Sequence, residues 1–384
     1  MKKFALVPIL LGFFAMGFAD IVGTVVNQIK GECHLSPEMA GFLPSMIFIW
    51  FLVISVPAGI LSGRFGRRNT CLLSLVLTAV AMFLGLAAGP TRVGIYYVVF
   101  ALLGIGNTIL QAALPALLSN VTEPAQLTSR LSLGQFVKSV CAALTPVFVW
   151  LAAEKLGNWK LLFPFYGALT IISVITLVVV PIPREAKREG KGATFCGALA
   201  LLGDGRILAL ALGVFAAVAA DVGFNVGVPD VLNKAYGLDK NAAGMGPTVF
   251  FIAKTLGTFV GAFLFTKFLP VKCFPWCVGM SAIGLAGAWL APSSMVFLIA
   301  VFVTSLGLAN VFGILFGLAL AHRPDRTDEA SALMVMAVSG GAVVSAALGF
   351  AQTAFGLNGL FLVLLIPIVY LAGLVFGLRP KAKL

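Results

Sequence analysis

Four ionisable side chains, Asp20, Lys138, Asp221 and Lys254, lie inside long apolar stretches of this sequence. A charge near the centre of a bilayer costs about 3 kcal/mol on insertion scales, so such residues are functional candidates by default. A carboxylate beside an ammonium group loses its charge and releases its partner when it takes up a proton. We therefore expect these four residues to couple the protein to protons.

Polar residues lie three, four or seven positions from several of these charges, which places them on one face of a helix. Such a stripe has no use against lipid, but in a water-filled central cavity it can bind a solute that carries several hydroxyl groups. Trp50, at mid-depth in its segment, adds a ring on which a sugar can stack. The expected substrate-binding residues are Thr24, Asn27, Trp50, Asn107, Gln111, Gln135, Asn225 and Asn310.

Structural roles explain the same residues. Asp20 with Lys138, and Asp221 with Lys254, are also accounted for as ion pairs that hold neighbouring helices together, and buried pairs alone are weak evidence of function. The candidate amides are also explained as hydrogen bonds between helices, worth under about 1 kcal/mol in membranes. Ordinary packing accounts for Trp50 equally. Both interpretations remain open at this point.

The composition places the whole chain in a membrane. Hydrophobic residues make up 60% and charged residues 10% of the 384 positions, with a mean hydropathy of +1.06, which leaves too little polar surface for a soluble globule. A helix needs roughly 20 apolar residues to cross the hydrocarbon. We predict an all-α membrane protein whose twelve spans are residues 4–29, 39–62, 69–89, 93–120, 127–153, 159–182, 206–233, 242–268, 272–291, 294–321, 329–355 and 357–378.

An internal repeat divides these spans into two sets of six. An offset of 203 residues matches a glycine and a proline of LSPEMAGFLPS at 35–45 with those of LDKNAAGMGPT at 238–248. The same offset carries Gly104 onto Gly307, and the asparagine three positions later onto another asparagine. Duplicated halves are a common way of building membrane carriers. The predicted organisation is a six-helix bundle at 1–182, a cytoplasmic linker at 183–205 and a second six-helix bundle at 206–384.

The distribution of Lys and Arg predicts the orientation, because positive residues remain on the cytoplasmic side. Most of them fall, with both termini, on one side of the predicted spans. We expect a multi-pass protein of a cell membrane, a prokaryotic inner membrane, that is monomeric and has both termini in the cytoplasm. The net charge of +12 then reflects topology and attraction to anionic lipids, and no basic cluster interleaves with aromatics as nucleic-acid binding requires.

The sequence offers little support for a metal site, a cofactor site or an enzymatic activity. Six cysteines are scattered without a disulfide or zinc spacing, and the two histidines fall at opposite membrane faces in this topology. No nucleophile and base stand together at a recognisable spacing. We expect no metal, no cofactor and no catalytic residues.

The segment GILSGRFGRR at residues 59–68 resembles the signature loop between spans two and three of the major facilitator superfamily. Gly63 stands where that signature carries an acid. The resemblance covers the whole chain, since twelve spans, doubled halves and a central linker fit the family. It implies the major facilitator fold and a cytoplasmic gate made of Gly59, Arg64, Gly66, Arg67 and Arg68.

Four further segments, GFADIVG, PSMIFIWFLVISVPAGIL, GIGNTILQAALP and GQFVKS, are similar to the fucose, glucose and galactose proton symporters of that superfamily. The GFN at residues 223–225 is similar to the glycine and asparagine of sugar carriers in span seven. The resemblance implies that Asp20 occupies the position of the proton-linked acid. Gln111 stands where fucose permeases have a glutamate, and a glutamine cannot ionise.

These features favour a proton-linked importer of a small polar solute, a monosaccharide, that works by alternating access near the membrane middle. A proton-coupled exporter of drugs or metabolites is the alternative, because the same fold serves both directions. Span five has AALTPVFV in place of the GPxxGG element of many such antiporters. A sugar sensor that does not transport is the third hypothesis, although the chain offers no signalling tail or long loop.

Overall fold

All regular structure in the described part of the chain is helical. The computed structural model describes residues 5–20, 22–35, 37–182, 195–238, 243 and 246–378, and within these ranges it contains no strand. Lipid explains this, because a helix satisfies its backbone hydrogen bonds internally where water is absent. The predicted all-α class is confirmed.

The helices follow the predicted spans closely, although some spans are divided. The first part of the chain forms α1 (Leu6–Met16), α2 (Val22–Cys33), α3 (Pro37–Phe65), α4 (Arg67–Gly85), α5 (Val93–Val121), α6 (Leu127–Glu154) and α7 (Leu162–Val179). The rest forms α8 (Phe195–Ala200), α9 (Gly205–Lys234), α10 (Gly246–Lys267), α11 (Pro270–Trp289), α12 (Ser294–Leu308), α13 (Val311–His322), α14 (Thr327–Met336), α15 (Gly340–Phe355) and α16 (Leu357–Gly377).

In the described ranges, nine helical segments are long and apolar enough to cross a membrane, with mean hydropathies from 1.3 to 2.7. They comprise α3, α4, α5, α7, α9, α10, α11, α12 together with α13, and α16. The other predicted spans coincide with α1–α2, α6 and α14–α15. Two of these are interrupted by a single 3-10 turn, at Gly17–Ala19 and at Ala337–Ser339.

The helices assemble into two compact units that exchange short segments. Unit 1 consists of Met1–Leu127, Val137–Gly203 and Arg323–Met336; unit 2 consists of Thr128–Phe136, Asp204–His322 and Ala337–Leu384. Unit 1 therefore contains α14, which belongs to the second half of the sequence. Unit 2 contains the first turns of α6, which belong to the first half.

The two exchanged segments make equivalent contacts within their units. In unit 1, a Cβ placed on Gly59 would lie 2.6 Å from the Cβ of Ala332, so α3 and α14 touch at this point. In unit 2, the Ser129 hydroxyl donates to the carbonyl oxygen of Ala262. An offset of 203 residues relates Gly59 to Ala262 and Ser129 to Ala332, so the two contacts occupy equivalent positions. The predicted repeat therefore extends to tertiary contacts.

The offset of 203 residues does not hold for Gly307, one of the glycines from which the repeat was inferred. Gly307 packs against Cys277 and Ser281, while Gly106 packs against Ser74 and Thr78 on the corresponding helix. The packing counterpart of Gly307 is therefore Gly106 and not Gly104, a shift of two positions. Gly104 instead lies against α3. The predicted match of Gly104 with Gly307, and of the asparagines that follow them, was wrong in this stretch.

The last part of the predicted linker is helical. Residues 183–194 lie outside the described part, but α8 and a 3-10 turn at Leu201–Gly203 follow them and belong to unit 1. The guanidinium of Arg326 donates to the carbonyl oxygen of Gly197 at 2.6 Å and also pairs with Glu329. The hydrogen bond to Glu329 raises the pKa of Arg326, so this connection between α8 and the start of α14 remains charged.

Candidate functional site

Asp20 and Lys138 form an ion pair in unit 1. The Nζ atom of Lys138 lies 3.1 Å from Oδ2 of Asp20, and the two side chains are 14% and 27% exposed. Asp20 ends the 3-10 turn that separates α1 from α2, and its backbone N–H donates to the carbonyl oxygen of Gly17. The break in the helix therefore places the carboxylate beside α6.

Gly17 brings α1 and α6 close enough for this pair to form. A Cβ at this position would lie 2.7 Å from the Cβ of Cys141 and 2.8 Å from the carbonyl oxygen of Lys138. Behind the pair, Tyr166 and Thr145 share a hydrogen bond between their hydroxyl groups. This hydrogen bond lies one turn along α6 from Cys141, and the Tyr166 ring also contacts Phe18.

Unit 2 contains the second predicted pair. Nζ of Lys254 on α10 lies 2.6 Å from Oδ2 of Asp221 on α9, with side-chain exposures of 18% and 24%. The hydroxyl of Thr258, one turn along α10, donates to the backbone carbonyl of Lys254. Both acid–lysine pairs inferred from the sequence therefore form in the structure.

The two pairs are not related by the internal repeat. Asp20 and Asp221 lie on the first spans of their halves, at positions that differ by 201 residues. Lys138 comes from α6, the fifth span of its half, whereas Lys254 comes from α10, the second span of the other half. The acids are counterparts and the bases are not, so the second ion pair is not a copy of the first.

Several buried polar atoms on α3 and α5 lack a hydrogen-bond partner within the described part of unit 1. Among them are both amide atoms of Asn107 and Nε1 of Trp50. A Cβ on Gly104 would lie 2.7 Å from the Trp50 ring, so the indole lies against α5 one turn before Asn107. Gln111, one turn further, is 7% exposed. Buried polar groups normally have partners, so these side chains are candidates for contact with a polar solute.

The remaining substrate-binding candidates are distributed differently. The amide of Asn310 donates to the carbonyl oxygen of Gly257 at 2.7 Å, which ties the junction of α12 and α13 to α10. Asn225 is half-buried one turn after Asp221, and Gln135 is half-buried in the portion of α6 that belongs to unit 2. The side chains of Thr24 and Asn27 lie outside the described part.

Arg67 is buried in a polar cluster at the junction of α3 and α4. Its Nε donates to Oδ1 of Asp328 at 2.8 Å and its Nη2 to Oδ2 at 3.2 Å, which makes the ion pair bidentate. Its Nη1 donates to the carbonyl oxygen of Ala116 and to the side-chain oxygen of Asn120. Arg67 therefore joins α4, α5 and α14 in unit 1.

The other predicted gate residues have separate roles. Gly59 allows α14 to approach α3, because a Cβ there would lie 2.8 Å from the carbonyl oxygen of Asp328. Gly66 has a φ of 89°, a conformation that side chains disfavour, and it turns the chain between α3 and α4. Arg68 donates to the carbonyl oxygens of Leu177 and Val178 at the end of α7. Arg64 is exposed.

Asp328 and Asn120 are the residues of this cluster that sequence reasoning missed. A signal for Asp328 exists, because the loop signature lacks its acid at Gly63 while Arg67 is retained. A buried arginine needs a compensating charge, and Asp328, directly before the predicted span at residues 329–355, was an available candidate. No group of three or more potential ligands in the described residues is placed to hold a metal ion.

A family model for the Major Facilitator Superfamily matches residues 9–215, which is more than half of the chain. The chain belongs to the major facilitator superfamily. This superfamily member is a multi-pass membrane transporter with the all-helical fold of the family, and it is not an enzyme.

Relatives of this transporter cover nearly its whole length. It is 24% identical to a glucose/galactose transporter of Brucella abortus, over 96% of this chain and 92% of the relative. A variant of the E. coli fucose:proton symporter FucP matches with a TM-score of 0.84, at 20% identity and 99% coverage of both chains. The proton:xylose symporter XylE matches with a TM-score of 0.75, at 17% identity, over 100% of this chain and 96% of XylE. The two structural matches establish the fold.

Proposed function

We propose that this transporter imports a monosaccharide together with protons by alternating access. The observation that carries the proposal is the ion pair of Asp20 and Lys138, held within apolar helices. Ionisable residues within membrane spans are costly, and for that reason they are functional candidates by default. Asp20 is also the position that resembles the proton-linked acid of the sugar symporters.

Protonation of Asp20 would remove the attraction that holds Lys138. The ammonium group would then be free to bind solute or to move with α6, and the loaded form would become able to change its orientation. A ligand shifts such an equilibrium only by the difference between its affinities for the two forms. Asp221 and Lys254 would play the corresponding part in unit 2.

Trp50, Asn107 and Gln111, which lie together in unit 1, support a sugar as the solute. A sugar offers hydroxyl groups for the amide of Asn107 and for Gln111, and a ring face for Trp50. Asn225 and Gln135 are the candidates for solute contact in unit 2. Relatives that move glucose, galactose, fucose or xylose support this choice.

We also propose the remaining features of the topology. The α1–α2, α6 and α14–α15 segments complete twelve spans in two six-helix halves, with both termini in the cytoplasm of a prokaryotic cell and a monomeric protein as the working form. The bidentate pair of Arg67 and Asp328 would then lie at the cytoplasmic side and hold α14 to α4. It would have to open when that side opens.

Uptake of a panel of labelled monosaccharides into proteoliposomes, with the external medium acidified, tests the proposal. Accumulation of at least one sugar above its external concentration, abolished by a proton ionophore, is the expected result. Proton-driven loss of a drug or metabolite from loaded vesicles, without sugar uptake, would identify an exporter. Sugar binding without any flux would identify a sensor, and either outcome would overturn the import proposal.

A further inference from the structure

An apolar groove runs between α4 and α7 on the outer face of unit 1. Its volume is about 520 Å³. Every side chain along it is apolar: Val76, Ala79, Val80, Phe83, Leu84, Ile171 and Val174. Both helices are long and apolar enough to cross a membrane. The groove therefore opens to hydrocarbon and not to water.

The two helices are joined at both ends of this groove. Near one end, a Cβ on Gly167 would lie 3.0 Å from the Phe83 ring, so α4 and α7 are in close contact there. At the other end, Arg68 on α4 donates to the carbonyl oxygens of Leu177 and Val178 on α7, at 3.0 and 2.7 Å. Between these contacts the helices leave a slot whose rim residues Val76 and Val80 are 46% and 52% exposed.

The shape and lining of the slot favour an acyl chain. With a rise of 1.5 Å per residue, Val76 lies about 12 Å and Val80 about 18 Å along α4 from Arg68. The hydrocarbon of one leaflet is about 15 Å deep. A lipid whose head group is level with Arg68 therefore brings its chain to the depth of the slot.

The charge at the arginine-bearing end selects the head group. Arg64 is exposed at the end of α3, four residues before Arg68, and Gly66 turns the chain between them. Arg68 uses its Nε and one Nη2 hydrogen for α7, while a guanidinium has five N–H donors, so three remain. Guanidinium groups bind phosphate with charge-assisted hydrogen bonds. The positive end and the apolar slot together match the two parts of one phospholipid.

We propose that the α4–α7 groove is a binding site for an anionic phospholipid, with an acyl chain in the slot and the phosphate at Arg64 and Arg68. The site uses none of the residues of the Asp20 ion pair, and it is independent of the transport proposal. Arg68 follows Arg67 directly in the chain, so the lipid would lie next to the residue that holds Asp328.

Native mass spectrometry of the purified protein tests this site, with phosphatidylglycerol and phosphatidylcholine of identical chains as probes. The wild type should retain phosphatidylglycerol preferentially. Arg64→Gln should weaken that binding about fivefold, since an arginine near the surface contributes about 1 kcal/mol toward anionic lipid. Val80→Trp, which fills the slot, should weaken it about tenfold or more, because each buried CH₂ contributes about 0.8 kcal/mol.

Ile283→Trp is the matched control, because Ile283 occupies the repeat-related position on α11 and is 71% exposed. It should retain phosphatidylglycerol as the wild type does. Equal melting temperatures of the two tryptophan variants would show that Val80→Trp folds. Equal retention of both lipids by the wild type, or unchanged binding in Val80→Trp, would overturn the proposal. The experiment measures lipid retention and not transport. If the sugar-transport proposal failed, the lipid proposal would therefore still be tested.

Discussion

Asp328 accepts hydrogen bonds from both Nε and Nη2 of Arg67, although 261 positions separate the two residues in the chain. Each side chain is only 6% exposed. Asp328 supplies the negative charge that the arginine-rich loop lacks at Gly63. An offset of 203 residues relates Arg67 to Pro270 and Asp328 to Ala125. Neither of these counterparts is charged, so the repeat does not supply a second ion pair of this kind.

Removing one member of this pair should destabilise the protein strongly. Asp328→Asn removes the carboxylate that accepts hydrogen bonds from the buried Arg67 guanidinium, and breaking a buried pair costs about 3–5 kcal/mol. We expect a clear fall in melting temperature in detergent. Asp325→Asn, at an exposed acid three residues earlier, is the control and should have little effect.

The double variant distinguishes a direct pair from two independent losses. Arg67→Gln with Asp328→Asn should be less destabilised than the sum of the single variants, because contacting residues show coupling energies of about 0.5–3 kcal/mol. Strictly additive melting shifts would contradict the direct ion pair.

Gly17→Ala should weaken both the fold and transport. The added methyl group would meet the Cβ of Cys141 and the carbonyl oxygen of Lys138 below 3 Å. Forcing extra volume into a packed contact costs about 1–3 kcal/mol, and it would move Asp20 away from Lys138. Gly373→Ala, in open space on α16, should leave melting temperature and uptake unchanged. Wild-type behaviour of Gly17→Ala would show that Gly17 does not lie in close contact with α6.

Truncation of Asn107 and of Asn310 should have different effects on stability and on sugar binding. Asn310→Ala loses the hydrogen bond to Gly257 and should lower the melting temperature. Asn107→Ala removes two unpartnered buried atoms, so it should cost less stability while it weakens sugar binding, because an unsatisfied polar group costs about 1–3 kcal/mol. Melting curves with and without sugar measure both effects. A larger stability loss for Asn107→Ala would contradict a ligand-binding role.

Much of this architecture follows from the sequence because lipid imposes simple rules. Apolar runs of the required length predict helices, and charges within them identify Asp20, Lys138, Asp221 and Lys254 as partners. The interruptions of α1–α2 and α14–α15 were not predictable, since Gly17–Ala19 and Ala337–Ser339 are as apolar as their flanks. They arise from packing against other helices, which a single sequence does not display.

Contacts between residues that are far apart in the chain were also not predictable from the sequence. Asp328 lies on a span that the repeat places in the second half, yet it packs in unit 1 with Arg67. The two-residue shift between Gly106 and Gly307 has the same origin, because it depends on how α12 packs on α11. Local patterns identify such residues but do not reveal their partners.

Proton-driven uptake by Asp20→Asn in proteoliposomes tests the central claim most directly. The amide keeps the size of the side chain but cannot ionise, so we expect the loss of uphill sugar accumulation while exchange of sugar across the membrane continues. Asp230→Asn is the control, because Asp230 pairs with Lys234 in an exposed position, and it should accumulate sugar as the wild type does. If Asp20→Asn still concentrated sugar in response to a proton gradient to the wild-type level, the coupling role of Asp20 would be wrong.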